Sequence, residues 1–191
     1  MIKQYNIILG SGSPRRKELL SGLDLHFRVL VREGIKETYP QDLPAKEDAR
    51  YIAEEKASAY TALLSGDTMV IPAETIVVCD DTILGKPHDI NDAVRMLKML
   101  SGKTHQVITG VCISTKEKKK VFSVNTNVTF KRLQDTEIDY YVSKYKPFDK
   151  AGAYGIQEWI GHVGVEHLDG SYFNVMGLPV QRIYQTLTEE F

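Results

Sequence analysis

Apolar residues fall into short runs and periodic stretches along the chain, and each predicts an element. Ile7-Ile8-Leu9 is a compact apolar run that reads as a short buried strand. It leads into Gly10-Ser11-Gly12-Ser13, after which Pro14 opens a helix. Ser13 suits the N-cap and Pro14 the first helical position. Leu19-Leu20 give that helix apolar surface, and Gly22 is placed to end it just past the C-cap. From Lys46 to Leu64, Ala49, Ile52, Ala53, Tyr60, Leu63 and Leu64 recur at spacings of three and four, which predicts a helix. Lys56 lies on the same face. Met69-Val70-Ile71 and Ile76 to Cys79 read as strand, interrupted by Pro72-Ala73-Glu74, and Pro72 argues for an edge or a bulge there.

Farther along, Asp89 or Asn91 can cap a helix carrying Ala93, Leu97 and Leu100, stopped by Gly102. A strand is expected over Gln106 to Ser114. Phe122, Val124, Thr126, Val128 and Phe130 then alternate with Ser123, Asn125, Asn127 and Thr129, a period of two that predicts a strand with one buried face. Lys116-Glu117-Lys118-Lys119-Lys120, between these strands, reads as a solvated hairpin turn. Asp135 or Thr136 starts a helix ending near Tyr145. Gly152 to Gly155 marks a loop, and Trp159 to Val165 a strand. Gly177-Leu178-Pro179 opens a last helix with Val180, Ile183, Tyr184 and Leu187 on one face. Strands alternating with helices, plus at least one hairpin, favour a mixed sheet flanked by helices over a purely parallel one.

Composition narrows the function. The chain has 191 residues, of which 42% are hydrophobic and 26% charged, enough for a substantial core without disulfide or metal staples. Lys plus Arg number 24 and Asp plus Glu 25, a formal net charge of −1, which excludes a globally basic nucleic-acid binder and an acidic disordered chain. Two cysteines, Cys79 and Cys112, both in apolar runs, exclude a disulfide scaffold, and no Cys/His spacing resembles a zinc site. The polar start and the lack of any run near ~18 apolar residues give the expectation of a cytoplasmic protein without membrane attachment.

Five segments could carry chemistry. Ser11-Gly12-Ser13-Pro14-Arg15-Arg16 follows a strand and opens a helix, where free N–H groups and the helix dipole favour an anion. The alternative is a capped helix with two exposed arginines. Glu74 interrupts an otherwise apolar stretch, so its carboxylate must be exposed at an edge, paired, or metal-bound. Gly85-Lys86-Pro87 presents a lysine from a turn. Asp149 to Gln157 carries small residues beside charged ones, as in a loop that another molecule approaches, and Gln157 can read a base edge through its amide. Gly170 to Pro179 is a glycine-bounded loop whose aromatics, Tyr172 and Phe173, read as core and not as a stacking platform. The five histidines show no metal or triad pattern.

Taken in order, these segments resemble the Maf family of nucleoside triphosphate pyrophosphatases over nearly the whole chain. Ser11 to Leu20 is similar to the family's opening signature, and Glu55-Lys56-Ala57 to its helix motif. Ala73-Glu74-Thr75-Ile76-Val77 and Leu84-Gly85-Lys86-Pro87 resemble its central motifs, followed by Leu100 to Val107, Thr109-Gly110-Val111, Asp149 to Gln157 and Gly170 to Pro179.

The resemblance implies an α/β fold: a mixed twisted sheet flanked by helices, two lobes around a deep cleft, similar to the inosine triphosphate pyrophosphatases. Residues 1–191 would form a single such domain. It implies hydrolysis between the α and β phosphates, first of dTTP and UTP, with a divalent cation, Mg²⁺ or Mn²⁺, as cofactor. Alternatives are the same chemistry on a modified or methylated nucleotide, or a weakly active nucleotide-binding regulator of cell division. Glu74 takes the position of the catalytic carboxylate, where the family usually has Asp. Ser11, Ser13, Arg15, Arg16, Lys56 and Lys86 would hold the triphosphate, while Arg15, Thr75 and Gln157 correspond to positions linked to base choice. Glu37, Glu74 and Asp149 would bind metal. The partner implied is the nucleotide, with neither nucleic acid nor membrane, and a homodimer is what the family suggests.

Overall fold

In the computed structural model the described residues are 4–35, 40 and 43–191, with backbone alone for residues 45 and 46. Among the described residues, eight strands and seven α-helices follow in the order β1 (Asn6–Leu9), α1 (Pro14–Ser21), β2 (Phe27–Val29), α2 (Ala45–Ser58), β3 (Thr68–Ile71), β4 (Ala73–Cys79), β5 (Thr82–Leu84), α3 (Ile90–Leu100), β6 (Thr104–Ser114), β7 (Lys119–Phe130), α4 (Asp135–Tyr145), α5 (Trp159–Gly164), β8 (Val165–Asp169), α6 (Tyr172–Met176) and α7 (Val180–Glu190). The strands are ordered β2-β1-β3-β6-β4-β5, with β7 beside β6 and β8 beside β7. β1 is parallel to β2 and β3, whereas β3–β6, β4–β5 and β7–β8 are antiparallel. The expected mixed α/β sheet is therefore present.

The chain divides into two compact units. The first holds Met1–Glu74, Thr109–Val124 and Gly177–Phe191, and the second Thr75–Ile108 and Asn125–Met176. The first is organised around β1, whose Ile8 packs with Tyr60 and Val70, and around Ala53 and Ala57 of α2, which lie against Cys112 of β6. Gly110 is the tightest point of that packing: a Cβ there would stand 2.1 Å from the Ala49 carbonyl oxygen. The second unit has a larger core, in which Leu97, Leu100, Phe130, Tyr141 and Ile160 are wholly buried. Each such aliphatic side chain contributes roughly 1.5–3 kcal/mol relative to exposure.

Most predicted elements stand where the pattern put them, with instructive departures. Ser13 caps α1 by accepting from the Arg16 N–H. Gly22 ends it in a right-handed conformation, φ −66°, without the left-handed turn for which glycine is usually chosen. The helix expected to reach Leu64 stops at Ser58. The N–H groups of Ala59 and Tyr60 bond three residues back, which tightens the chain, and the Tyr60 hydroxyl is held by the Leu30 carbonyl and the Arg32 N–H. Pro72 does not mark a sheet edge. It separates β3 from β4, both of which have a neighbour on each side, and its carbonyl accepts from Cys112 N–H. Trp159 to Gly164 is a helix, not the expected strand. Burial there does not alternate, and the Glu158 carbonyl accepts from Gly161 and His162. Tyr172 and Phe173 are 42% and 48% exposed, so they are not core residues.

Candidate active site

Several of the residues singled out converge within the first unit. β1 delivers the chain to the Ser11–Ser13 loop, and α1 begins directly after it. Arg16, in the first turn of α1, turns back over this loop. Its Nε donates to the Gly177 carbonyl at 2.8 Å, and its Nη1 to the Ala73 carbonyl at 2.8 Å and to Ser11 Oγ at 3.2 Å. Ser11 Oγ also accepts from the Ser13 N–H. Arg16 thus ties the opening loop to the residue before Glu74 and to the start of the last helical segment. Arg15 is half-buried beside it.

Of the three settings open to Glu74, the structure shows the paired one. Glu74 lies in β4 and its carboxylate bonds the Lys56 ammonium from α2, the side chains being 17% and 12% exposed. The lysine that stood on an apolar helical face therefore faces a carboxylate from an apolar strand. Each charge offsets the desolvation of the other, which neither could bear alone.

The remaining predicted residues belong to the second unit, which begins at Thr75. Thr75 is half-buried in β4, and Lys86 is exposed in the turn after β5. The Gly85 carbonyl accepts from the Gly152 N–H at 3.1 Å, which anchors the Asp149 to Gln157 segment beside that turn. Asp149 is exposed and accepts from Lys150 Nζ at 2.8 Å. Gln157 is half-buried. Sequence reasoning missed three side chains that hold this segment: Tyr141, whose hydroxyl accepts from the Gly155 N–H, Glu158, which accepts from that hydroxyl, and His105, whose Nε2 lies 2.7 Å from the Tyr154 hydroxyl. Tyr141 carried a helical signal and His105 lay inside a quoted motif, but nothing in either pattern says which loop each would grip.

The residues can be tested against a divalent cation. Glu37 lies outside the described residues. Among the described residues no group of three or more His, Cys, Asp or Glu is placed to hold a metal. A Mg²⁺ ion bound through one or two carboxylates plus substrate phosphate needs no such cage. A carboxylate has two oxygens and about four acceptor positions, so Glu74 retains hard-oxygen capacity while it holds Lys56. The donor set fits a substrate-borne cation.

A strand, a capped helix behind a Gly/Ser loop, and a part-buried carboxylate–lysine pair characterise this α/β protein. The chain belongs to the Maf family: the family model described as Maf-like protein matches residues 6–190. A relative from Phocaeicola vulgatus, named dTTP/UTP pyrophosphatase, is 58% identical over 186 residues, covering 97% of this chain and 96% of its own. Relatives of the same name from Porphyromonas gingivalis and Parabacteroides distasonis are 51% and 54% identical, covering 98% and 97% of this chain and 96% of their own.

Proposed function

We propose that this protein is a nucleoside triphosphate pyrophosphatase that hydrolyses dTTP and UTP to the monophosphate and pyrophosphate. The names of its relatives support the substrate, and one structural observation carries the chemistry: the Glu74–Lys56 pair, beside the loop that Arg16 fastens to Ala73. A triphosphate brings about four negative charges, which suits a loop at a helix N-terminus with Arg15, Arg16 and Lys56 of the same unit as cations.

Glu74 is the base. Its carboxylate orients a water and takes its proton as the oxygen attacks the α phosphorus. The bond from that phosphorus to the oxygen bridging α and β breaks, and pyrophosphate leaves with the bonding electrons. Lys56 steadies the carboxylate and, with the arginines, stabilises the charge that develops on the leaving group. Glu74 would help to hold a divalent cation, which would supply Lewis acidity to the phosphoryl group.

Glu74→Gln tests the role directly. With folding intact by circular dichroism, pyrophosphate release is expected to fall at least ~10²-fold, the usual contribution of general acid–base catalysis. Full turnover by this variant would remove Glu74 from the mechanism.

A further inference from the structure

Three consecutive carbonyls lead up to Glu74, and each is held by a different part of the first unit. The Ile71 carbonyl accepts from the Gly10 N–H at 3.1 Å, and the Pro72 carbonyl from the Cys112 N–H of β6 at 3.2 Å. The Ala73 carbonyl accepts from a side chain, Arg16 Nη1, at 2.8 Å. That carbonyl and the Glu74 N–H belong to one planar peptide unit, so fixing the oxygen fixes the backbone that carries the carboxylate. The carboxylate itself is held by Lys56 of α2. Glu74 is thus set from both ends, its backbone by Arg16 and its charged tip by Lys56.

The hydrogen bonds of the guanidinium show what Arg16 is committed to. Nε donates to the Gly177 carbonyl at 2.8 Å, and Nη1 donates both to the Ala73 carbonyl and, at 3.2 Å, to Ser11 Oγ. The single Nε hydrogen and the pair on Nη1 are therefore spent on the protein. A bidentate grip on a phosphate uses either Nε with Nη2 or Nη1 with Nη2, and each grip needs a nitrogen already committed. The positive charge of Arg16 still adds to the field of the opening loop, but its fork is occupied by the chain. Ser11, one of its acceptors, is itself buried.

We infer that Arg16 is the positioning residue of the general base: its guanidinium locks the Ala73–Glu74 peptide to the opening loop and to Gly177, so that the Glu74 carboxylate stands where the attacking water gives up its proton. This rests on the reading of Glu74 as base. The demand on Arg16 is then for shape. Arg16→Lys keeps the charge, but an ammonium on a flexible stem does not reproduce the planar fork that reaches two carbonyls and a hydroxyl at once. A residue needed to grip phosphate would instead show its loss in substrate binding.

The test measures kcat for pyrophosphate release from UTP in full-length wild type, Arg16→Lys and Arg16→Gln. It also measures, by calorimetry, the dissociation constant of the UTP analogue with a methylene group between the α and β phosphates, which cannot be split there. The stoichiometry of analogue binding gives the folded fraction, and kcat is corrected for it, so partial unfolding does not imitate the effect. In Arg16→Lys, kcat is expected to fall about tenfold or more while the dissociation constant stays within about threefold of wild type. Arg16→Gln should lose kcat to a similar extent, since the fork and not the charge is what both variants lack. A kcat retained in Arg16→Lys overturns the inference, as does a dissociation constant raised about tenfold or more in either variant, which would mark a phosphate ligand and leave Glu74 as base. If neither variant folds, NMR of the arginine Nε–H groups in wild type decides. The Arg16 signal should be protected from solvent exchange without nucleotide and keep its position when the analogue binds, and rapid exchange or a displaced signal overturns the inference. Full turnover by Glu74→Gln removes the base itself, and this inference with it.

Discussion

Two buried titratable residues should move stability in opposite directions with pH. Asp48, in the first turn of α2, is 1% exposed, and neither carboxylate oxygen has a hydrogen-bond partner among the described residues. Burial raises its pKa above the usual 3.8. The folded protein then holds this proton more tightly than the unfolded chain. The resulting stabilisation is complete below the unfolded value and is lost as pH rises through the raised one. Asp48→Asn should therefore melt higher than wild type at neutral pH, by about 1 kcal/mol of stability, and the gain should shrink on acidification. Equal melting at neutral pH would show that the charge costs nothing there. His105 behaves oppositely. Burial lowers its pKa from 6.5 to about 4, so its neutral form adds stability above 6.5 that is lost as pH falls through about 4. Thermal melts across this interval should show His105→Gln losing less stability than wild type, by a difference on the order of 3 kcal/mol. At this scale the sequence exposed the oddities and not their partners. Lys56 on an apolar face and Glu74 in an apolar strand were each visible, but only the packing of α2 near β4 makes them a pair.

The elements meet most tightly where α2 crosses β6. Gly110→Ala would drive a methyl into the Ala49 carbonyl, a backbone atom that cannot rotate away. The helix must then lift from the strand, and a loss of roughly 1–3 kcal/mol or more is expected in a denaturant titration. An unchanged midpoint would mean that the contact is looser than drawn. Periodicity read the elements well where one face is buried. In β7, Phe122, Thr126, Val128 and Phe130 are buried and their alternating neighbours are not. It failed where length or tertiary anchoring decides. Six residues of α5 are too few to separate the two periods, and Tyr60 is drawn off the helical path by the Leu30 carbonyl. The hairpin turn is shorter than the basic run, because Lys119 and Lys120 already belong to β7; Lys118 of the turn and Lys120 of the strand pair with Glu190 of α7, worth little to stability.

At the scale of the molecule, β4, β6 and β7 each run from one compact unit into the other, and the boundary in β4 falls between Glu74 and Thr75. Those two residues come from one sequence motif, yet one pairs with Lys56 in the first unit and the other opens the second. The motif order along the chain was legible, as was the mixed sheet. The division into units was not, because it depends on strands passing between them and not on any linker of distinctive composition. No helix among the described residues is long and apolar enough to cross a membrane.

The central claim is that water attacks the α phosphorus of a keto-pyrimidine triphosphate. Hydrolysis of dTTP with Mg²⁺ in heavy-oxygen water, followed by mass spectrometry of both products, tests it most directly. The account predicts pyrophosphate as the released species and the heavy oxygen in the nucleoside monophosphate. Label in pyrophosphate, or release of orthophosphate, would place the attack on another phosphorus and contradict it.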